Sequence, residues 1–306
     1  QAARVGARLL LPSDRGWPEG MRGLDAHAPI TLWVRGRLDA LAVSPSIALV
    51  GARAATHYGE HVAIEAAAGL VDRGFAIVSG GAYGIDGTAH RSALANRGTT
   101  VAFLAGGVDR FYPVGHEALL GRIAETGAVV SELACGAAPT RWRFLQRNRL
   151  IAASADATVV LEAGMRSGSL NTAGHAAALG RPLGALPGPV TSPASAGCHR
   201  LLREFDAVCV TDAAQMAELV PSSGTATADA PAGEAHSRVA SRATDELTDD
   251  EQRVLDALGV RRARTIGELA ERAKLGVGAV MGAVGALEAT GLARAERDGW
   301  VRHRSA

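Results

Sequence analysis

The stretch A-L-V-G-A-R-A-A-T-H-Y-G, Ala48–Gly59, runs from an unbroken apolar segment through a glycine turn into a helix-forming segment. An apolar run without polar alternation reads as a strand buried on both faces, and a strand feeding a helix across a tight turn is half of a βαβ unit. The pattern recurs from Pro45 to Leu219. Apolar runs at Ile47–Val50, Ala76–Ser79, Thr100–Leu104, Ala128–Ser131, Thr158–Leu161, Leu183–Leu186 and Ala207–Val210 alternate with helical stretches. Those stretches are Gly59–Asp72, Ile85–Asn96, His116–Thr126, Leu145–Ser154, Leu170–Leu179, Ala194–Arg203 and Asp212–Leu219. The alternation predicts a doubly wound α/β domain, a mainly parallel sheet covered by helices. Ligands of such sheets bind outside the carboxyl ends of the strands, so the turns that follow strands carry the search for function.

Outward from this core, four segments are expected: a lead-in over 1–44, the α/β domain over 45–220, a linker over 221–246 and a small domain over 247–306. Residues 221–246 are rich in Pro, Ser, Ala, Gly and Thr, the composition of a flexible linker. Thr248 with Glu251 has the spacing of a capping box. Two further helical stretches and a glycine-containing hairpin candidate follow, which together predict a winged helix-turn-helix. Its third helix, from Val277 to Thr290, holds no Arg or Lys. A recognition helix without a cation lacks the usual phosphate and guanine contacts, so a protein-contact or auxiliary role is expected.

The totals exclude several classes. With 306 residues, 47% hydrophobic and 21% charged, the chain has the composition of an ordinary globular protein. Its apolar runs fall far short of the ~20 residues of a membrane span. No basic-then-apolar leader opens the sequence. Cys135, Cys198 and Cys209 are scattered and form no C-x-x-C, which argues against structural zinc and a disulfide framework. The expectation is a cytoplasmic protein with no membrane association. Lys274 is the single lysine, so neither a P-loop lysine nor a Schiff-base lysine lies before it.

Four turns carry chemistry. Gly51 and Arg53 stand where a strand enters a helix, a position that favours an anion, and Arg53 would add a bidentate phosphate donor. The second turn, V-S-G-G-A-Y-G-I-D-G-T-A-H from Val78 to His90, is glycine-rich but is not G-x-G-x-x-G. No acid follows its strand to hold a ribose, which disfavours a nicotinamide dehydrogenase. Asp86 and His90, one helical turn apart, read as a helix brace rather than an acid–base pair. The third, T-R-W-R-F-L-Q-R-N-R, places Arg141, Arg143, Phe144, Arg147, Asn148 and Arg149 in ten residues, and no Asp or Glu lies between Leu133 and Ala155. Arginines without local partners beside flat rings suit a single nucleic-acid strand, while a solvated helix start with Trp142 and Phe144 in the core is the plain alternative. The fourth is Ser167-Gly168-Ser169, a hydroxyl-rich helix start that suits a phosphate or a simple N-cap. No G-x-S-x-G elbow, metal-ligand cluster or cofactor motif is visible, and no catalytic residue, metal or cofactor is expected.

Taken in order, these motifs resemble the DNA-processing protein A family. The resemblance runs from Trp17 to Val301. It rests on V-G-x-R at Val50–Arg53, S-G-x-A-x-G-I-D at Ser79–Asp86, G-x-D-x-x-Y-P at Gly107–Pro113, S-E at Ser131–Glu132, F-x-x-R-N-R-x-I-A at Phe144–Ala152, and E-A…S-G-S-L-x-T-A ending at Ala173. The resemblance implies an extended Rossmann-like fold that binds single-stranded DNA, forms a homodimer, and helps load a RecA-type recombinase during natural transformation without being an enzyme. It implies pocket roles for Arg53, for the Phe144, Arg147, Asn148 and Arg149 element, and for the Ser167–Ser169 turn. Gly81, Tyr83, Val114 and Leu145 depart from the family pattern. Cations usual at 83 and at times present at 114 are missing, which implies weaker DNA binding or compensation by Arg141 and Arg143. The alternative is a related phosphoribohydrolase-like enzyme, although the corresponding S-G-S-L-N-T-A-G-H lacks that family's glutamate and leaves only Glu162 nearby. A nucleotide-sensing interaction protein is a third reading.

Overall fold

A computed structural model describes residues 1–220, 249–259, 263–289, 292–296 and 299–302. The expected linker over 221–246 and the expected cap Thr248 lie outside the described residues. The chain divides into two compact units, Gln1–Gly224 and Thr225–Ala306.

Nine strands of the first unit form one sheet. They are β1 (Ala7–Leu10), β2 (Leu32–Gly36), β3 (Ser46–Gly51), β4 (Ala76–Gly80), β5 (Thr100–Phe103), β6 (Ala128–Ser131), β7 (Ala157–Glu162), β8 (Leu183–Ala185) and β9 (Val208–Cys209). Their spatial order is β1-β2-β6-β5-β4-β3-β7-β8-β9. Pairing is parallel from β6 through to β9, and β1 and β2 add an antiparallel edge. The seven-strand parallel body lies where the apolar runs place it. β1 and β2, inside the expected lead-in, carry Arg8 and Arg35 and are only partly buried, so they lack the unbroken apolar run by which the central strands are read.

Seven helices cover the sheet: α1 (His57–Asp72), α2 (Ile85–Ala95), α3 (Glu117–Thr126), α4 (Arg141–Ser154), α5 (Ser169–Ala178), α6 (Ala196–Glu204) and α7 (Ala213–Glu218). The period-2 geometry of β3 sends Ile47 and Leu49 to one face and Ala48 and Val50 to the other. Ile47 and Leu49 pack with Ala63, Leu70 and Ile85 of α1 and α2. Ala48 and Val50 pack with Leu150–Ala153 of α4 and Ala173 of α5. Chain order runs from β3 outward to β4, β5 and β6 on one side, then restarts beside β3 with β7. The topological switch point therefore lies between β3 and β7, and a crevice opens at their carboxyl ends.

Between α2 and the sheet, His90 is fully buried. Its Nε2 lies 2.8 Å from the Gly80 carbonyl and its Nδ1 lies 2.7 Å from the Thr100 hydroxyl. His90 thus braces α2 against β4 and β5, while Asp86 accepts from Ala82 N at 3.3 Å within the turn that starts α2. Burial pushes the imidazole down from 6.5 to about 4. The unfolded chain consequently binds the proton first as pH falls, and stability that is complete above pH ~6.5 declines toward pH ~4 at up to about 1.4 kcal/mol per pH unit. Denaturant midpoints measured across that window should fall for the wild type and fall less steeply for His90→Gln.

The second unit contains α8 (Asp249–Ala257), α9 (Ile266–Ala273), α10 (Val277–Ala289) and an antiparallel pair, β10 (Ala293–Glu296) and β11 (Gly299–Arg302). Val254, Leu258, Leu269, Val280, Val284 and Leu287 form its core. A capping box starts α9, with Thr265 and Glu268 exchanging bonds. This is a winged helix.

Candidate functional site

An open cleft of about 820 Å³ lies at the switch point. Four segments and one helix line it: Gly51–Ala54 after β3, Ala82 and Asp86 after β4, Tyr112 after β5, Gly164 and Arg166–Ser169 after β7, and α4 from Arg141 to Ile151.

The β3 turn is fixed from below. Glu162, at the end of β7, accepts from the Thr56 backbone N–H at 2.8 Å and from the Thr56 hydroxyl, and Thr56 in turn caps α1 by accepting from Gly59 N at 3.1 Å. Gly84 sits at φ 74°, and a Cβ there would stand 2.2 Å from the Ala52 carbonyl oxygen and 2.5 Å from that of Arg53. Only glycine meets both the left-handed backbone and this close approach. The arrangement leaves Arg53 exposed on the cleft lip. Its guanidinium carbon lies over the Phe144 ring, 4.5 Å from the centroid. Tyr112 tilts against the same ring at 6.0 Å.

The helix that carries Phe144 begins at Arg141 rather than at the expected Leu145. Thr140 caps it, accepting from Arg143 N at 3.3 Å, and this extra turn swings Arg141 and Phe144 into the cleft. Deeper in, Arg147 is 4% exposed and donates to the Phe103 carbonyl. Burial lowers its pKa to about 10, so it stays cationic at neutral pH. It faces Asp86, whose carboxyl burial pushes upward against the pull of Arg147. Asn148 donates to the Gly168 carbonyl at 3.3 Å and to Asn171 Oδ1 at 3.1 Å, tying α4 to the 167–169 turn. In that turn the Ser167 and Ser169 hydroxyls lie 2.7 Å apart at the start of α5.

Every residue nominated from sequence lines the cleft except Arg143 and Arg149. The arginines have no acid within 133–155, but Arg149 finds one just outside that stretch. It is buried, bonds both oxygens of Glu132 at 2.8 and 2.6 Å, and donates to the His27 carbonyl. Arg143 donates to the Ala138 carbonyl. Among the lining residues that were not nominated, Tyr112 adds a ring and Arg166 a cation. Arg166 directly precedes the nominated Ser167 and is exposed, so its place in an anion-friendly turn was the available signal. The departures at 83 and 114 lie outside the cleft: Tyr83 packs on the His116 ring at 4.7 Å, and Val114 is 72% exposed.

Four arginines, Arg53, Arg141, Arg147 and Arg166, face the cleft against one carboxylate, Asp86. An anion is what this balance accommodates. Glu162, the acid a hydrolase reading depends on, is 2% exposed, engaged by Thr56 and not among the lining residues. Among the described residues, no group of three or more His, Cys, Asp or Glu is gathered to hold a metal ion, and no helix is long and apolar enough to cross a membrane.

Fold and cleft together define a doubly wound α/β protein with a cationic, aromatic-walled cleft at its switch point, followed by a winged helix. The chain belongs to the DNA recombination-mediator protein A family, whose family model matches residues 8–221, and the DprA winged helix domain matches residues 238–299. A Mycobacterium tuberculosis chain that carries the DprA name is 49% identical over 97% of this chain and 77% of its own. The DNA processing protein DprA of Streptococcus pneumoniae is 41% identical over 58% of this chain and 62% of its own. Among solved structures, DprA from Streptococcus pneumoniae matches with TM-score 0.66 and 36% identity, covering 70% of this chain and 74% of its own. DNA processing protein A from Helicobacter pylori, described for its unique single-stranded DNA binding mode, matches with TM-score 0.63 and 28% identity, covering 69% and 94%.

Proposed function

We propose that this protein binds single-stranded DNA in the switch-point cleft and acts in the cytoplasm as a non-enzymatic recombination mediator. In this reading a homodimer protects incoming single strands and hands them to a RecA-type recombinase. The observation that carries it is the Arg53–Phe144 stack in an arginine-lined cleft. A guanidinium for the phosphate lies over one face of a flat ring, the pairing of cation and aromatic that suits an unpaired strand. The single-stranded DNA binding described for the Helicobacter pylori relative supports the same reading. Proposed contacts are Arg53, Arg141 and Arg166 to phosphates, Phe144 to a base, and the Gly51 and Ser167–Ser169 backbone turns to phosphate oxygens. Arg147 and Asn148 hold the cleft in shape, and Arg149 acts through the fold alone.

The test is fluorescence anisotropy with a labelled ~35-mer, single- and double-stranded, across a salt series. Three exposed arginines should give a single-strand slope of about −2 in log K against log salt, at ~0.7 per phosphate neutralised. Equal affinity for duplex, or no binding of either form, defeats the proposal.

A further inference from the structure

The α4 ridge has a second side. Consecutive helix residues stand about 100° apart, so Arg141, Phe144, Leu145 and Asn148 face the main cleft while Trp142, Arg143 and Gln146 look away from it. On that far side lies a separate hollow of about 350 Å³ lined by Leu104, Glu132, Trp142, Arg143, Gln146 and Arg147, among others. Arg147 borders both spaces, so one buried guanidinium lies beneath the two. Trp142 is 66% exposed, a large apolar surface left in water at the crest. The departure from packing is specific, because the next aromatic along the helix, Phe144, is covered by Arg53 and Tyr112.

We infer that this hollow is a second nucleobase subsite, and that a single strand seated in the main cleft continues over the first turn of α4 and stacks a base on Trp142. The inference rests on the DNA-binding reading of the main cleft. The crest supplies what a crossing strand needs. Arg141 on one side and Arg143 on the other can neutralise successive phosphates. Trp142 offers an indole face, and the Gln146 amide lines the hollow with a donor and an acceptor for a base edge. Glu132, held by Arg149, closes the far wall and gives an amino-bearing base a partner. Stacking on an open indole is tolerant of sequence, so this subsite extends the length of strand bound rather than selecting its sequence.

The experiment compares wild type, Trp142→Ala, Trp142→Phe and Arg53→Ala in binding to oligothymidylates of ~4 and ~15 nucleotides, with intrinsic tryptophan fluorescence followed in parallel. The long oligonucleotide should quench wild-type emission, and the quenching should be lost in Trp142→Phe. The preference for the long over the short oligonucleotide should drop about tenfold in Trp142→Ala and recover in Trp142→Phe, as base stacking requires. Arg53→Ala should weaken both lengths alike. If wild type binds and Trp142→Ala keeps its length preference, or the quenching survives in Trp142→Phe, the second subsite does not exist and the main cleft stands alone. If wild type binds neither oligonucleotide, both readings fall together.

Discussion

Replacing Arg53 by alanine should weaken single-stranded DNA binding about 10- to 100-fold, the loss of one charge-assisted hydrogen bond of roughly 1.5–3 kcal/mol. The side chain is exposed, and its guanidinium lies over the Phe144 ring at 4.5 Å. The buried Asp86 loses one of its two neighbouring cations but keeps Arg147, and the melting temperature should change little, since surface substitutions stay within about 0.5 kcal/mol. The salt slope should become shallower by ~0.7, as it does when one fewer phosphate is neutralised. Arg53→Lys should recover charge but not the planar fork or the stack on Phe144, so its affinity should fall between wild type and alanine. Affinity and salt slope measured on the three proteins check all of this. An unchanged slope in Arg53→Ala removes Arg53 from the phosphate-binding groups.

Arg149→Ala should do the reverse: large damage to the fold and none to the salt slope. Arg149 and Glu132 form a bidentate pair whose side chains are 9% and 22% exposed. Removing the guanidinium strands a mostly buried carboxylate and frees the His27 carbonyl, at a cost of roughly 3–5 kcal/mol. In a unit of this size that lowers the melting temperature by roughly 6–20 °C. Joint replacement, Arg149→Met with Glu132→Leu, should restore most of the loss, because swapping a buried ion pair for apolar side chains is often neutral. Thermal melts of the single and double variants test the pair. A stable Arg149→Ala that binds DNA poorly would return this arginine to the cleft.

The contrast between these two arginines shows where reading the sequence succeeds and where it stops. The parallel body of the sheet was legible because each central strand is an unbroken apolar run followed by a turn, and β3–Gly51–Arg53–α1 is the clearest case. β1 and β2 were not, since arginines interrupt edge strands that are only partly buried. The arginine-rich stretch at 140–149 was legible as unusual, but not the fate of each arginine. Arg149 finds its carbonyl partner at His27, 122 residues away, and Arg147 finds Phe103, 44 residues away. Distant backbone oxygens leave no mark in local composition. The start of α4 depends on Thr140, a weak cap signal beside so much charge, and without that extra turn Arg141 and Trp142 have no helical faces to occupy. Arg166 was legible in principle, one residue ahead of a turn already singled out.

The most direct test is photocross-linking of the wild-type protein to a single strand substituted with 5-iodouracil, with adducts mapped by mass spectrometry. Iodouracil couples to aromatic rings that touch it, and Phe144 and Tyr112 are the rings of the cleft. Adducts at Phe144 or Tyr112, reduced in Arg53→Ala at the same protein and DNA concentrations, are the predicted result. Adducts confined to rings outside the cleft and α4, such as Trp300 of the winged helix, would contradict the account.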